Sequence, residues 1–239
     1  MHRLLSLLAG AVIAAAFLGP GTITTAARAG AGHGASLLWA LVFATVACFL
    51  LQEAAARSTL ASGQPLAAAL RRRYAGGWRG AAVLGLVLAA VIVGCAAYEA
   101  GNILGGVAGA EMALGIDRRV LTAVAAVAAA VLLSLGGRAT VSAVLAGLVA
   151  TMGVAFTVTA LRLGIDSGEV VRGAVVPTVP VGAWLLVLGL VGTTVVPYNL
   201  FLGSGLAAGS TEDRRVALRD ARHGLAVAIG LGGLVSMAG

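Results

Sequence analysis

The chain has 239 residues, of which 60% are apolar and only 10% charged, and its mean hydropathy is +1.02. A soluble domain needs roughly 25% charged residues to face water, so a soluble globular domain is excluded. Disorder is excluded by the apolar content, and collagen by the lack of a G-X-Y period among the 35 glycines. The net charge of +7 comes entirely from arginine, since there is no lysine. It is read as a topology signal, and no nucleic-acid partner is expected. Cys48 and Cys95 lie inside apolar runs and read as buried small hydrophobes, neither a disulfide framework nor a metal site.

In chain order, apolar runs of about 20 residues match a hydrocarbon core about 30 Å thick. They predict spans near 4–27, 37–57, 81–105, 119–136, 139–163 and 182–209, with a seventh beginning near 223. The first run follows Met1-His2-Arg3 and also has the form of a secretory signal peptide. Its apolar pattern continues into Gly19-Pro20-Gly21-Thr22-Ile23, which favours a retained helix. The last run, from Gly224 to Gly239, is short for a crossing, and the expectation is a chain that stops within helix seven, as in a fragment or truncated product. With the N-terminus inside, cytoplasmic segments hold Arg3, Arg57, Arg71, Arg72, Arg73, Arg79, Arg138, Arg214, Arg215, Arg219 and Arg222. External segments hold Arg28, Arg118, Arg119, Arg162 and Arg172. This excess predicts a multi-pass plasma-membrane protein with a cytoplasmic N-terminus.

Glycine and proline mark two interruptions. Span one is broken at Gly19-Pro20-Gly21, followed by the hydroxyls Thr22, Thr24 and Thr25. Span six is broken at Pro197, within Thr193-Thr194-Val195-Val196-Pro197-Tyr198-Asn199. Proline removes a donor and clashes with the preceding turn, and opened backbone is tolerated in a bilayer only where it is buried in protein or lines a cavity. Two breaks five spans apart are the arrangement of inverted repeats whose discontinuous helices meet at the midplane. The plain alternative is a pair of proline kinks in packing helices.

The stretches Leu18-Gly-Pro-Gly-Thr-Ile-Thr-Thr25, Gly34-Ala-Ser-Leu-Leu-Trp39, Leu51-Gln-Glu-Ala-Ala-Ala-Arg57 and Gly192-Thr-Thr-Val-Val-Pro-Tyr-Asn-Leu-Phe-Leu202 resemble, in order and spacing, the natural resistance-associated macrophage protein (Nramp) family of divalent metal transporters. The resemblance implies an all-α helical bundle with two discontinuous helices, the first half and a little more of a five-plus-five inverted-repeat fold. Residues 1–163 would be the first repeat, 164–181 an external loop, and 182–239 the start of the second repeat.

The departures from the family pattern fall on the site. Gly19 stands where the family's D-P-G-N motif has Asp, and Thr22 where it has Asn. In the M-P-H motif of the sixth helix, Val196 replaces Met and Tyr198 replaces His, while Thr193 falls at a position offering a backbone carbonyl. Ala96 replaces the first member of an acidic pair associated with proton movement, and Glu99 keeps the second. The donors left are neutral oxygens, which suit a hydrated hard cation better than a dehydrated soft one, and the altered site is similar to that of magnesium-transporting relatives.

The expected substrate-binding residues are therefore Gly19, Thr22, Thr193, Val196, Tyr198 and Asn199, with Thr22 and Thr193 as metal contacts. Glu99 serves proton or cation coupling, as a carboxylate deep in a span, with Asn102 one turn on as its hydrogen-bond partner. Glu53 and Arg57 read as a structural i,i+4 pair, and His33 and His223 as interfacial. No enzyme signature is present, and no cofactor is expected. The function expected is secondary active transport of a divalent cation (Mg²⁺ or Mn²⁺-like), with or without proton coupling. A small organic solute on the same fold and a non-transporting membrane remnant are the alternatives. Implied partners are the metal ion, the bilayer, and either a partner chain or a missing C-terminal half.

Overall fold

The structure is a computed structural model that describes residues 19–163, 166–209 and 213–238. The first half of span one, Arg3 and the signal-peptide reading lie outside the described residues. Among the described residues ten α-helices follow in order: α1 (Pro20–His33), α2 (Leu38–Ser62), α3 (Leu66–Arg73), α4 (Gly77–Leu114), α5 (Arg118–Leu135), α6 (Arg138–Leu163), α7 (Ser167–Val175), α8 (Trp184–Thr194), α9 (Pro197–Ala208) and α10 (Arg214–Ala238). No strand occurs among the described residues, and six stretches are long and apolar enough to cross a membrane.

The structure departs from the sequence reading in several places: helices extend past the expected ends at 27 and 57 to His33 and Ser62, and the expected loop 164–181 holds the short helix α7. Helix α4 is 38 residues long, about 57 Å at 1.5 Å per residue. It runs through Gly105, Gly106 and Gly109 because nothing stops it before Gly115, which closes it in the left-handed conformation at φ 66°. Helix α10 starts at Arg214, nine residues ahead of the expected position near 223, because Asp213 accepts from the Arg215 N–H and opens the helix. The arginine cluster Arg71–Arg73 sits on a helix of its own, α3, at the end where cations favour the helix dipole.

Helix α2 is central. It packs on α7, α8, α9 and α10, while α1 packs on α4 and α8. One apolar core joins Ala26 and Ala29 of α1, Leu37, Ala40 and Leu41 at the start of α2, and Ala183, Val187 and Leu190 by α8. A second joins Cys48 of α2 to Leu225, Ala228 and Ile229 of α10. Helix α5 shows the opposite pattern: Val120, Val124, Val127 and Val131 form an exposed stripe at helical spacing. An apolar stripe of this kind faces lipid in a membrane protein, where alkyl chains take the place of a protein core.

The expected Glu53–Arg57 pair forms at 2.7 Å, and the fold adds a second cation. Arg222 of α10 reaches the other carboxylate oxygen at 2.7 Å, so Glu53 clamps α2 to α10 with a side chain 8% exposed.

Candidate substrate site between two broken helices

The site is assembled from two proline-led helix starts. Gly19 is the N-cap of α1 in extended backbone and Pro20 its first residue. Val196 is the N-cap of α9 and Pro197 its first residue. Proline suits this position because its missing N–H would be unsatisfied there anyway. At the second break both halves are seen: α8 ends at Thr194, α9 begins at Pro197, and Val195 and Val196 span the gap.

The two breaks meet directly. Thr22 is fully buried, and its Oγ1 donates to the Thr193 backbone carbonyl at 3.3 Å across 171 residues of sequence. The Thr193 hydroxyl folds back onto its own helix, donating to the Gly189 carbonyl at 2.8 Å, so its carbonyl is the group turned to α1. Thr24 and Thr25 likewise donate to the carbonyls of Pro20 and Gly21, at 2.7 and 2.8 Å, leaving their lone pairs as acceptors.

A third helix completes the cluster. Tyr98 of α4 meets Tyr198 of α9 edge to face, with ring centroids 5.9 Å apart, and it is hydrogen-bonded to the Thr22 and Asn102 side chains. Asn102 Oδ1 accepts from the Gly21 N–H at 3.1 Å. The helices approach this closely because Gly105 has no side chain: a Cβ there would lie 2.8 Å from the Pro20 carbonyl oxygen. A cavity of about 340 Å³ opens beside this contact, lined by Gly21, Thr24, Thr25, Tyr98, Asn102 and Thr193, with Arg28 and Arg118 among its other lining residues. Arg118 is paired with Glu111 at 3.1 Å.

The expected site residues thus fall in three groups. Gly19, Thr22, Thr193 and Tyr198 come together around Tyr98 and Asn102. Val196 is buried and offers only its backbone carbonyl, which accepts from the Asn199 N–H at 3.2 Å. Asn199 is 3% exposed, and among the described residues neither atom of its side-chain amide has a hydrogen-bond partner, nor does the buried Thr194 hydroxyl. Glu99 is exposed on α4, and the expected Glu99–Asn102 bond gives way to the bond from Gly21, because α1 offers an open N–H at the end of the Asn102 side chain. Tyr98 was not singled out from the sequence. Its one signal is spacing, since Tyr98 and Asn102 are four apart and share a helix face. Among the described residues no three His, Cys, Asp or Glu side chains cluster as metal ligands.

Residues 10–238 match the Natural resistance-associated macrophage protein-like family. The chain belongs to this family. Among its relatives is the divalent metal cation transporter MntH of Verminephrobacter eiseniae, 30% identical over 236 residues that cover 95% of this chain and 52% of that protein. The MntH of Deinococcus radiodurans is 30% identical over 245 residues, covering 99% of this chain and 55% of the relative. The chain thus spans about half the length of the curated relatives it matches. The crystal structure of the Eremococcus coleocola manganese transporter, in complex with an aromatic bis-isothiourea substituted compound, shares the fold. It superposes with a TM-score of 0.75 at 20% identity, covering 98% of this chain and 50% of that one. This Nramp-like chain is accordingly a multi-pass membrane protein of a transporter family.

Proposed function

We propose that this protein carries a divalent metal cation across the plasma membrane by secondary active transport, through the site between the breaks at Gly19–Thr22 and Thr193–Asn199. The observation that carries the reading is the Thr22–Thr193 hydrogen bond, which joins the helix start at Pro20 to the break before Pro197, 171 residues away. The buried Asn199 amide and Thr194 hydroxyl, unpartnered among the described residues, support it, because buried polar groups normally have partners and here a substrate or its water would supply them. Relatives named as divalent metal cation transporters support the substrate class.

The donor chemistry favours the hard end of that class. Thr22, Thr193, Tyr198 and Asn199 offer neutral oxygen, with neither carboxylate nor sulfur. Mg²⁺ gives up its water reluctantly and is commonly held with several waters in place. Mg²⁺ is therefore the substrate we favour over Mn²⁺, with Thr22 and Thr193 contacting the ion and Glu99 as the titratable group for proton coupling. In this reading residues 1–163 form the first repeat, residues 182–239 open the second, and the N-terminus is cytoplasmic. The missing carboxylate also favours a second reading, an organic solute on the same fold. Uptake of Mg²⁺ and Mn²⁺ by the purified protein in liposomes separates them. Saturable uptake of Mg²⁺ in preference to Mn²⁺ supports the proposal, whereas no uptake of either ion sinks it.

A further inference from the structure

We infer that Asn102 is a substrate-contacting, specificity-determining residue of this site, its amide standing in for the side chain that Gly19 lacks. The inference rests on the divalent-cation reading above. A Cβ built on Gly19 would overlap Asn102 Oδ1 and lie 2.7 Å from its Cγ and 2.9 Å from its Nδ2. Position 19 is the N-cap of α1, the place from which a side-chain oxygen normally serves the first free N–H groups of the helix. Asn102 does this from another helix, 81 residues away, by accepting from the Gly21 N–H at 3.1 Å. The vacancy at 19 and the amide at 102 are therefore complementary: either position can fill this space, but not both.

The same amide also faces the substrate path. It lines the cavity with Thr24, Thr25 and Thr193, and it is linked through Tyr98 to Thr22. A carbonyl oxygen has two lone pairs, so the bond from Gly21 leaves one acceptor position, open to the neighbouring Tyr98 hydroxyl or to a donor in the cavity. The charge at this point decides what that donor is. Helix starts carry positive partial charge, and an amide adds no negative charge to offset it. A dication stripped of water would be poorly compensated here. Water bound to a cation turns its hydrogens outward, and these suit the Asn102 Oδ1 and Thr193 carbonyl acceptors. The 102 position therefore selects a hydrated hard dication, and a carboxylate in the same space would favour direct binding of an ion that sheds its water more readily than Mg²⁺ does, such as Mn²⁺.

The test is titration calorimetry of the purified protein in detergent with MgCl₂, MnCl₂ and hexaamminecobalt(III), whose ammine shell mimics a fixed hydration shell. In the unsubstituted protein, Mg²⁺ binds and hexaamminecobalt(III) competes with it. Asn102→Asp raises Mn²⁺ affinity relative to Mg²⁺ by about tenfold, or about 1.4 kcal/mol, because Mn²⁺ gives up water to the carboxylate more readily than Mg²⁺ does. Asn102→Gly weakens Mg²⁺ at least several-fold. Should Asn102→Gly not fold, as judged by size-exclusion chromatography, the double variant Gly19→Asp with Asn102→Gly restores a helix cap, and it carries the same rise in Mn²⁺ preference. Folded variants at position 102 that keep both metal affinities unchanged would make Asn102 a helix cap only and overturn the inference. Absence of metal binding in the unsubstituted protein would overturn the divalent-cation reading itself.

Discussion

Replacing Thr22 by valine removes one hydroxyl from the centre of the site with little change of shape. Thr22 is fully buried, and its Oγ1 reaches the Thr193 carbonyl at 3.3 Å, a long bond, beside its contact with Tyr98. A net hydrogen bond contributes about 1 kcal/mol, and bonds between membrane helices average about 0.6 kcal/mol. Thr22→Val is therefore expected to lower stability by no more than about 1 kcal/mol. Substrate affinity should suffer more, because the hydroxyl is one of a handful of neutral oxygens between the breaks. Losing one acceptor for an ion or its water costs about 1.4 kcal/mol, or tenfold in affinity. Calorimetric titration with MgCl₂ and a thermal melt in detergent measure both quantities. Thr22→Ser keeps the oxygen and should bind as the unsubstituted protein does. If Thr22→Val binds Mg²⁺ with unchanged affinity, Thr22 is a packing residue and the reasoning from the meeting of the two breaks fails.

Asn199→Leu should raise the melting temperature while abolishing uptake, since it removes a buried amide left unpaired among the described residues at a penalty of about 1–3 kcal/mol; a fall in melting temperature would show that Asn199 has a structural partner. Glu99→Gln should lower uptake without altering folding, and unchanged uptake removes Glu99 from coupling. Glu53→Gln should destabilise the protein by about 1–2 kcal/mol in denaturant titration, less than for a fully buried pair because Arg57 and Arg222 are about half exposed. Arg222→Ala in the Glu53→Gln background should then cost little more. Gly105→Val should cost about 1–3 kcal/mol by overpacking α1 against α4, where a Cβ would meet Thr24 Oγ1 at 2.7 Å; an unshifted melt would mean the two helices separate without cost.

The membrane class, most of the described spans, the helix start at Pro20 and the break before Pro197 were legible in the sequence, because each depends on local chemistry. Apolar runs set span length, and Pro20 and Pro197 cannot continue a helix begun upstream. The pairing of Glu53 with Arg57 was legible for the same reason, being one helical turn apart. The extent of α4 was not, since glycines in a bilayer-spanning helix are tolerated where a soluble helix would end. The start of α10 was missed because the charged stretch from Arg214 to Arg222 reads as a loop by hydropathy, although it is helical.

What the tertiary structure alone decided lies between residues far apart in sequence. Asn102 reads locally as a partner for Glu99, three residues before it. Only the close packing of α4 on α1, permitted at Gly105, brings the amide over Gly19 and onto the Gly21 N–H. Arg222 joins Glu53 because α10 packs beside α2, and Tyr98 finds Tyr198 because α9 starts where α4 passes. The sequence by itself determined that this is a membrane-spanning chain with proline-led helix starts at Pro20 and Pro197, because proline geometry and the cost of burying backbone in lipid act within a single segment. Which side chains fill the space between the interruptions was decided by helix packing, because a side chain's partners depend on where other helices lie and not on its neighbours in the chain.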